Sequence, residues 1–385
     1  MDVSFKNVMN YQENPFVFGK AVDGSYFTDR REEAERLTAN LTHGINTILI
    51  SPRRWGKTSL VKRVIDSNTR TDVKFVYLDV FACKSEYEFY HLFANEVIKQ
   101  TSSKLYEWIA MGKNFLSNIT PKFSFGSDPL NDFALSFEWN QKDGTEKDIL
   151  QLPEKIAQEK GVRIVVCIDE FQQIDFFSDS VKFQKVLRSV WQHQQNTTYC
   201  MFGSKKHLMT QIFSDASCPF YKFGDMMFLK KIPTEEWVPY IVSKFKQTGK
   251  EISDAQAQRI CEVSENLSSY VQQLAWGVWY KTEKVVTDET VETAVDTLLE
   301  QNRPFFQRDV EGLTSFQLKF LKAMASGVRN GFSRKEIMRK YKLESSANIQ
   351  SAKKSLIAKE IIDTEEQDVY ISDPLFRLWI ERNVK

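Results

Sequence analysis

The chain has 385 residues, of which 42% are hydrophobic and 27% are charged, and its formal net charge at pH 7 is +1. This composition is typical of a globular protein with ample apolar surface to bury, and the length predicts two or three domains. The nearly balanced charge excludes an argument for nucleic-acid binding from the molecule as a whole, so that function would have to rest on a local patch.

The sequence contains no run of about 18 uninterrupted apolar residues, and residues 1–6 lack a signal-peptide pattern. We therefore expect a cytoplasmic protein with no membrane partner. The five cysteines and four histidines are scattered along the chain, a distribution that predicts neither disulfides nor a metal site built from thiols or imidazoles.

The first informative segment is an apolar stretch at residues 47–50 that leads into a loop closing on Gly-Lys-Thr. In the motif G-x-x-x-x-G-K-[ST] the loop amides face the phosphates of a nucleotide, the lysine reaches the β- and γ-phosphates, and the hydroxyl binds Mg²⁺. These roles fall to Gly56, Lys57 and Thr58. The other residues predicted to bind the nucleotide here are Pro52, Arg53, Arg54, Trp55 and Ser59.

Ser51 stands where this motif has its first glycine. A side chain there restricts the tight turn after the strand, and a non-glycine residue held at positive φ costs on the order of 1 kcal/mol. We expect a loop that is anchored at both ends to absorb this cost. The alternative is a chance succession of strand, loop and helix in which the lysine is solvated.

Strand and helix patterns alternate after this loop, with a strand at residues 74–80 and helices at about 86–105 and 149–160. The alternation predicts a doubly wound parallel sheet. The segment at about 120–140 departs from it, because apolar and polar residues alternate there at period two. We predict an inserted β-hairpin, whose aromatic residues either pack on the core or contact another subunit.

Residues 162–168 form a nearly continuous apolar run that is followed by Asp169 and Glu170. Such a run suits a central strand of a parallel sheet, and ligands bind at the carboxyl ends of these strands. We predict that Asp169 holds Mg²⁺ through a water and that Glu170 is the catalytic base, which orients and polarises the attacking water. Two such motifs in this order, on separate strands, predict a P-loop nucleoside triphosphatase.

A further apolar strand at residues 198–203 ends at Ser204. The functional interpretation is a catalytic sensor hydroxyl, which hydrogen-bonds the γ-phosphate or the attacking water from the strand beside that of Asp169. The alternative is an ordinary N-cap for a helix at residues 205–213. The residues alone leave both open.

The last part of the chain is mainly helical. Residues 234–302 carry apolar side chains at helical spacing, which predicts a helical lid, and from about residue 313 three short helices precede two short strands. The second pattern is typical of a winged helix-turn-helix. The polar side of its third helix, at residues 346–358, carries Asn348, Gln350, Lys353 and Lys354.

These side chains can contact bases and phosphates, so the winged helix is a candidate DNA-binding element. A cluster of cations in the same domain supports that interpretation, whereas the acidic wing weakens it. The alternative is a solvated face of a domain that binds protein. The cations are Arg334, Lys335, Arg339, Lys340 and Lys342.

Residues 26–30, 51–59, 168–171 and 203–204, followed by the helical and winged-helix tail, resemble the prokaryotic ATPases of the archaeal-type ATPase family, within the broader STAND and AAA+ group. The resemblance covers nearly the whole chain. It implies a lid that packs over the nucleotide and an arginine that reaches the γ-phosphate of a neighbouring subunit.

The same resemblance implies that Phe27 and Arg30 contact the adenine base. The family has an acid after this arginine, where the present chain has Arg31. The closest match to the family's arginine that acts between subunits is Lys222, and lysine lacks the planar fork of arginine. If no other arginine substitutes, this departure implies slow turnover.

These observations predict an α/β fold, with a P-loop NTPase core whose parallel sheet is flanked by helices, then an α-helical lid and a C-terminal winged-helix domain. We place these domains at residues 1–232, 233–310 and 311–385. The predicted function is binding and hydrolysis of ATP with Mg²⁺, in which the nucleotide state repositions lid and winged helix, with DNA as a candidate partner. No guanine-selective Asn-Lys-x-Asp motif is present, so ATP is favoured over GTP.

The alternative function is a nucleotide-dependent signalling or assembly scaffold with slow turnover. In that case ATP binding drives assembly into a homo-oligomer, and the winged helix recruits a protein instead of DNA.

Overall fold

The computed structural model describes residues 14–20, 29–101, 121–125, 133–137, 145–365 and 367–384, and Phe27 lies outside these ranges. The chain divides into two compact units, one formed by Ala21–Lys230 and the other by Met1–Lys20 together with Lys231–Lys385. Within the described ranges, no helix combines the length and the apolar character needed to span a bilayer.

The strands of the first unit form a parallel sheet and a separate hairpin. In chain order they are β1 (Thr47–Ile50), β2 (Val73–Asp79), β3 (Pro121–Phe125), β4 (Phe133–Phe137), β5 (Arg163–Asp169), β6 (Thr197–Gly203) and β7 (Asp225–Phe228). The order across the parallel sheet is β2-β5-β6-β1-β7. The two strands that precede the predicted nucleotide motifs, β1 and β5, are therefore both interior strands, on either side of β6.

The strand β5 shows how the sheet is covered on both faces. Its residues alternate between two buried clusters, with Ile164 and Ile168 in one and Val165 and Cys167 in the other, and all four are 0% exposed. A strand with helices on both sides has no solvent-facing side, so both sets of side chains are apolar. This position explains the continuous apolar run in the sequence.

Helices cover the two faces of the sheet. They are α1 (Arg31–Thr42), α2 (Lys57–Asp66), α3 (Glu86–Thr101), α4 (Thr145–Lys160), α5 (Ser180–Trp191) and α6 (Lys206–Ser214). Apolar side chains of α1 and α2 join the cluster that contains Val165, whereas those of α3, α4, α5 and α6 join the cluster that contains Ile164. The sequence between α3 and α4 contributes the antiparallel pair β3 and β4, at the place where the sequence predicts a hairpin.

A short 3₁₀ helix, Phe171–Phe176, follows β5 directly. Its first residue, Phe171, is 0% exposed, and its ring centroid lies 5.4 Å from that of Phe220 and 5.6 Å from that of Phe213. Trp191 joins this aromatic group and stacks on Tyr199 of β6 at 4.1 Å. The packing of Phe171 therefore fixes the chain immediately after Asp169 and Glu170.

The second unit begins with a set of helices. They are α7 (Thr234–Gln247), α8 (Asp254–Val263), α9 (Ser268–Lys281) and α10 (Asp288–Glu311). The start of α8 carries a reciprocal cap, in which Ser253 Oγ accepts from Gln256 N at 3.3 Å and Gln256 Oε1 accepts from Ser253 N at 3.1 Å. Such a box satisfies two of the donors that a helix leaves free at its N-terminus.

The same unit ends with the elements of a winged helix. They are α11 (Ser315–Ala325), α12 (Lys335–Tyr341), α13 (Ser346–Ala358), β8 (Ile362–Glu365), β9 (Asp368–Ile371) and α14 (Pro374–Asn383). Side-chain contacts join it to the preceding helical segment; for example, Tyr270 Oη donates to Asp373 Oδ2 at 2.5 Å, and Arg377 Nε donates to Glu265 Oε1 at 2.6 Å. The helical segment and the winged helix therefore lie in one compact unit.

Candidate functional site

The loop 51–56 joins the carboxyl end of β1 to the first residue of α2. Ser51 is 1% exposed, and its hydroxyl donates to the carbonyl of Pro52 at 3.2 Å. The left-handed positions of this loop are Arg54, with φ 69°, and Gly56, with φ 89°, and Ser51 is not one of them. The prediction of backbone strain at Ser51 is therefore wrong, because the loop makes its tight turn near its end and not at its start.

Gly56 is the N-cap of α2, and no side chain caps this helix. A Cβ at Gly56 would meet nothing within 4 Å, so the requirement for glycine comes from its positive φ and not from crowding. The first amides of α2 lie at the positive end of the helix dipole, where a phosphate is stabilised.

Lys57, the first residue of α2, is 6% exposed. Burial lowers the pKa of its ammonium, and the charges of Glu170 and Asp169 oppose this shift. A lysine held this far from water is not the solvated side chain of a chance match to the motif. It lies in the field of the two acids that follow β5.

Asp169 ends β5 and is 5% exposed. Its Oδ2 accepts hydrogen bonds from Thr58 Oγ1 at 3.0 Å and from Tyr77 Oη at 2.9 Å, while its Oδ1 accepts from Glu170 N at 2.8 Å. Burial raises the pKa of Asp169, and the hydrogen bonds from Tyr77 and Thr58 oppose that rise. The structure thus brings the predicted hydroxyl and carboxylate ligands of Mg²⁺ into direct contact.

Glu170 follows in a left-handed conformation, with φ 53°. Its Oε2 accepts from Ser204 Oγ at 2.8 Å, from Ser204 N at 3.3 Å and from the side-chain amide of Gln172. Burial alone would raise the pKa of this carboxyl, but the bond from Gln172, the charge of Lys57 and the bonds from Ser204 lower it below its usual value. Glu170 is therefore held as a carboxylate.

Ser204 does not act as the helix N-cap that the sequence left open. The N-cap of α6 is Lys205, which makes no side-chain cap, whereas the Ser204 hydroxyl donates to Glu170. The same hydroxyl accepts from Arg53 Nε at 3.4 Å. Ser204 therefore links the end of β6 to the residue that follows β5 and to the loop 51–56.

The C-terminal part of the chain matches a family model described as a probable winged helix domain, over residues 304–382. Among solved structures, the chain is similar to a Walker-type ATPase of Pyrococcus abyssi, with 16% identity, a TM-score of 0.66, and coverage of 95% of this chain and 99% of that chain. It is also similar to the ORC2 protein of Aeropyrum pernix, solved in ADPNP and ADP complexes, with 14% identity, a TM-score of 0.58, and coverage of 95% and 96%. No curated protein sequence matches at a significant level.

The chain shares the fold of these two structures and ends in a winged helix. The predicted fold class is confirmed, and so is the family resemblance at the level of fold. The parallel sheet places the carboxyl ends of β1, β5 and β6 at one edge. Asp169 is the last residue of β5, Ser204 directly follows β6, and Lys57 lies beyond β1 at the end of the loop 51–56.

Arg30, which was predicted to contact the base, lies in the first unit and contacts protein groups there. Its side chain is 2% exposed, Nη2 donates to the carbonyls of Trp55 and Lys230, each at 2.8 Å, and Nη1 donates to Glu33 Oε1 at 3.2 Å. Burial lowers the pKa of Arg30, against the charges of Glu33 and Asp29. Arg30 thus ties the loop 51–56 to the end of the unit, while a contact with adenine stays a prediction.

We expect Arg30→Met to lower the free energy of unfolding of this unit by about 2–4 kcal/mol, because two carbonyls and one carboxylate lose a buried charged donor. Urea titration followed by tryptophan fluorescence measures the change. Arg31→Met is the matched control, since Arg31 is 88% exposed and pairs with Glu35 on the same helix. Equal midpoints for the two variants would show that Arg30 does not brace the loop.

The remaining residues predicted from the sequence lie in or near the loop. Arg53 and Arg54 are exposed, Pro52 and Trp55 are half-buried, and Ser59 is 8% exposed in α2. Lys222 has φ 52° in the segment between α6 and β7, and its ammonium lies 5.2 Å from the ring centroid of Tyr221. No role in catalysis follows from these positions alone.

Two residues of the site were missed by sequence analysis. Tyr77 lies in β2, which pairs with β5, and Gln172 lies two residues beyond Glu170. Nothing in the local pattern of β2 marks Tyr77, because its contact with Asp169 depends on the register of two strands far apart in sequence. The only signal for Gln172 is its closeness to the two acids, in a segment whose apolar residues form the core.

Proposed function

We propose that this chain binds ATP with Mg²⁺ and hydrolyses it. The observation that supports this proposal best is the convergence of Lys57, Thr58, Asp169, Glu170 and Ser204 at the carboxyl ends of three neighbouring strands. In open α/β sheets, ligands bind outside these strand ends. Each of the five residues has a functional group suited to contact the phosphates, the Mg²⁺ ion or the attacking water of a nucleoside triphosphate site.

In this proposal the loop 51–56, with the first amides of α2, cradles the phosphates, and Lys57 reaches their β- and γ-oxygens. The buried position of Lys57 suits this role, since a charge shielded from water interacts more strongly with a phosphate. Arg30 supports the loop by donating to the carbonyl of Trp55 at 2.8 Å. Phe27 stays a predicted contact of the adenine base.

The donor set also fits a magnesium ion. Thr58 Oγ1 and Asp169 Oδ2 lie 3.0 Å apart, and both are oxygens of the hard kind that Mg²⁺ prefers. Thr58 would bind the ion directly, and Asp169 through a water. When bound there, Mg²⁺ would supply positive charge to offset the negative charge that develops in phosphoryl transfer. Tyr77 keeps Asp169 oriented through its hydrogen bond of 2.9 Å.

Glu170 is the group we assign to the attacking water. As a carboxylate it can orient and polarise that water, a contribution typically worth about 10²–10⁴ in rate. Ser204 contacts Glu170 directly, so its proposed role as phosphate sensor would act on the base as well as on the phosphate. We also propose that the change in bound phosphate on hydrolysis repositions the helical lid and the winged helix.

The test of this proposal is release of phosphate from ATP by the full chain, in Mg²⁺ and in EDTA, across a series of protein concentrations. We expect release only in Mg²⁺. A turnover per subunit that rises with concentration would support a homo-oligomer in which neighbouring sites complete one another. No release and no ATP binding in Mg²⁺ would contradict the proposal.

We further propose duplex DNA as a partner of the winged helix. The cations at positions 334, 335, 339, 340 and 342 are all exposed, and three of them lie in α12. On α13, Gln350 and Lys354 are exposed, while Asn348 donates to Glu344 at 3.0 Å. Exposed cations beside such a helix can neutralise DNA phosphates, although Glu365 and Asp368 keep the wing acidic.

We expect the affinity of the full chain for duplex DNA to fall steeply with salt, and we expect Lys335→Ala with Lys340→Ala to reduce the magnitude of the log–log slope by about 2. The matched control is Lys281→Ala with Lys284→Ala, which removes two exposed cations from the helical segment of the same unit. Fluorescence anisotropy at several salt concentrations gives the slopes. Equal slopes for the two double variants would argue against DNA at this surface.

A second candidate function is the slow-turnover scaffold whose winged helix binds protein. The observation that favours it is Lys222, which stands where the family resemblance implies an arginine that acts between subunits. Tight ATP binding with negligible turnover at every concentration, together with no binding of DNA, is the result this alternative predicts.

A further inference from the structure

We infer that Gln172 is a positioning residue that holds the carboxylate of Glu170 for catalysis, an inference that rests on the proposed ATPase function. Gln172 lies in the 3₁₀ helix after β5, two residues beyond Glu170. Its side-chain amide donates to Glu170 Oε2, the oxygen that also accepts from the hydroxyl and the backbone amide of Ser204. Three donors therefore fix a single oxygen of the proposed base.

The side-chain amide of Gln172 is buried and only half of it is hydrogen-bonded. The side chain is 3% exposed, and its Oε1 is a buried acceptor with no hydrogen-bond partner among the described residues. An unpartnered buried polar atom costs free energy. Here the donor half of the amide is used on Glu170, whereas the acceptor half is left unsatisfied.

The backbone around Gln172 also accommodates this contact. Gly203, the last residue of β6, lies against the amide so closely that a Cβ at this position would overlap Oε1 of Gln172. On the other side, Glu170 has a φ of 53°, a left-handed conformation that disfavours a residue with a side chain. The absence of a side chain at Gly203 and the left-handed conformation of Glu170 thus both permit the approach of Gln172 to Glu170.

This arrangement assigns separate tasks to the two oxygens of Glu170. Because Gln172 and Ser204 share Oε2, the carboxylate keeps Oε1 for the attacking water. The orientation of a catalytic group strongly affects rate, and a misplacement of about 1 Å can cost on the order of 100-fold. Gln172 therefore acts through Glu170 and does not itself need to touch ATP.

The test uses Gln172→Met in the full chain, which keeps the length of the side chain and removes its polar atoms. We expect turnover of ATP to fall about 10- to 100-fold while the Kd for a fluorescent ATP analogue changes less than about twofold. In a Glu170→Gln background, the same substitution should change turnover less than about twofold, because the group on which Gln172 acts is already disabled. An equal loss of turnover in both backgrounds would overturn the inference.

Gln184 provides a matched control inside the same unit. It is 2% exposed, its amide donates to Asp175 Oδ1 at 3.2 Å, and its Oε1 is also a buried acceptor without a partner among the described residues. Gln184→Met therefore makes the same chemical change in α5, outside the proposed site. We expect it to leave turnover unchanged, and a loss equal to that of Gln172→Met would overturn the inference.

Urea unfolding of the nucleotide-free protein tests the contact itself without relying on hydrolysis. In the wild-type background, Gln172→Met loses one bond to a carboxylate but also removes an unsatisfied acceptor, so we expect little change in the urea midpoint. In the Glu170→Gln background the lost bond is no longer charge-assisted, so we expect the midpoint to rise. The same midpoint shift in both backgrounds would overturn the inference.

Gly203→Ala gives a second way to displace the amide without altering it. The added Cβ forces Oε1 of Gln172 away, so we expect a loss of turnover similar to that of Gln172→Met, again with unchanged affinity for ATP. Unchanged turnover in Gly203→Ala would contradict the role assigned to Gln172. Failure of the proposed function is distinguishable, because in that case the wild-type chain itself would release no phosphate.

Discussion

Lys57→Ala is expected to weaken ATP binding by a large factor. The Lys57 side chain is 6% exposed and faces the charges of Glu170 and Asp169, and burial lowers the pKa of its ammonium. Without it, the two carboxylates would remain beside the phosphates without the ammonium that offsets their negative charge. We expect a loss of about 2–5 kcal/mol, or roughly 30-fold to several thousand-fold in Kd, measured by titration with a fluorescent ATP analogue in Mg²⁺.

The control for this variant is Arg63→Ala, which removes an exposed cation further along the same helix. It should bind ATP as the wild type does, because an exposed charge outside the loop 51–56 contributes little. Wild-type affinity in Lys57→Ala would show that the loop 51–56 does not hold the phosphates.

Glu170→Gln is expected to bind ATP and fail to hydrolyse it. The substitution keeps the size of the side chain and an oxygen that can accept from Ser204, but it removes the carboxylate that polarises the attacking water. Turnover should fall by about 10²–10⁴, while affinity stays the same or rises because one negative charge near the phosphates is lost. Chromatography of the nucleotide that stays bound after gel filtration should find ATP in the variant and ADP in the wild type.

The control is Asp179→Asn, which neutralises an exposed acid just beyond the 3₁₀ helix. It should retain wild-type turnover, since its charge is solvated. Recovery of ADP from Glu170→Gln at the wild-type rate would require another residue to act as the base.

The central sheet could be predicted because its signals are local. The strands β5 and β6 are buried on every residue or nearly so, and a continuous apolar run followed by acids or a hydroxyl is visible in the sequence. The placement of Lys57, Asp169 and Ser204 at one edge then follows from parallel pairing alone. No contact between particular side chains was needed for that inference.

The prediction of strain at Ser51 was wrong because the sequence motif does not determine which loop residues adopt positive φ. Backbone conformation in the loop is shared among several residues, and the positive φ values fall on Arg54 and Gly56. The buried Arg30, which anchors the carbonyl of Trp55, helps to fix that choice. Because Arg30 and Trp55 are separated by 25 residues, the sequence pattern around the loop gives no indication of the contact.

Tyr77 and Gln172 lay beyond prediction because their roles depend on distances set by tertiary packing. Tyr77 reaches Asp169 only through the register of β2 against β5. Gln172 donates to Glu170 from a 3₁₀ helix whose first residue, Phe171, is packed in the aromatic core. In both cases an ordinary residue type acquires a role from its neighbours in space.

The most direct test of ATP hydrolysis at this site is Mg²⁺-dependent phosphate release by the wild type and by Glu170→Gln, measured side by side at the same occupancy of ATP. We predict release by the wild type that is about 10²–10⁴ times faster than release by the variant. Equal rates for the two proteins would contradict the assignment of Glu170 and, with it, the proposed catalytic arrangement at the ends of β5 and β6.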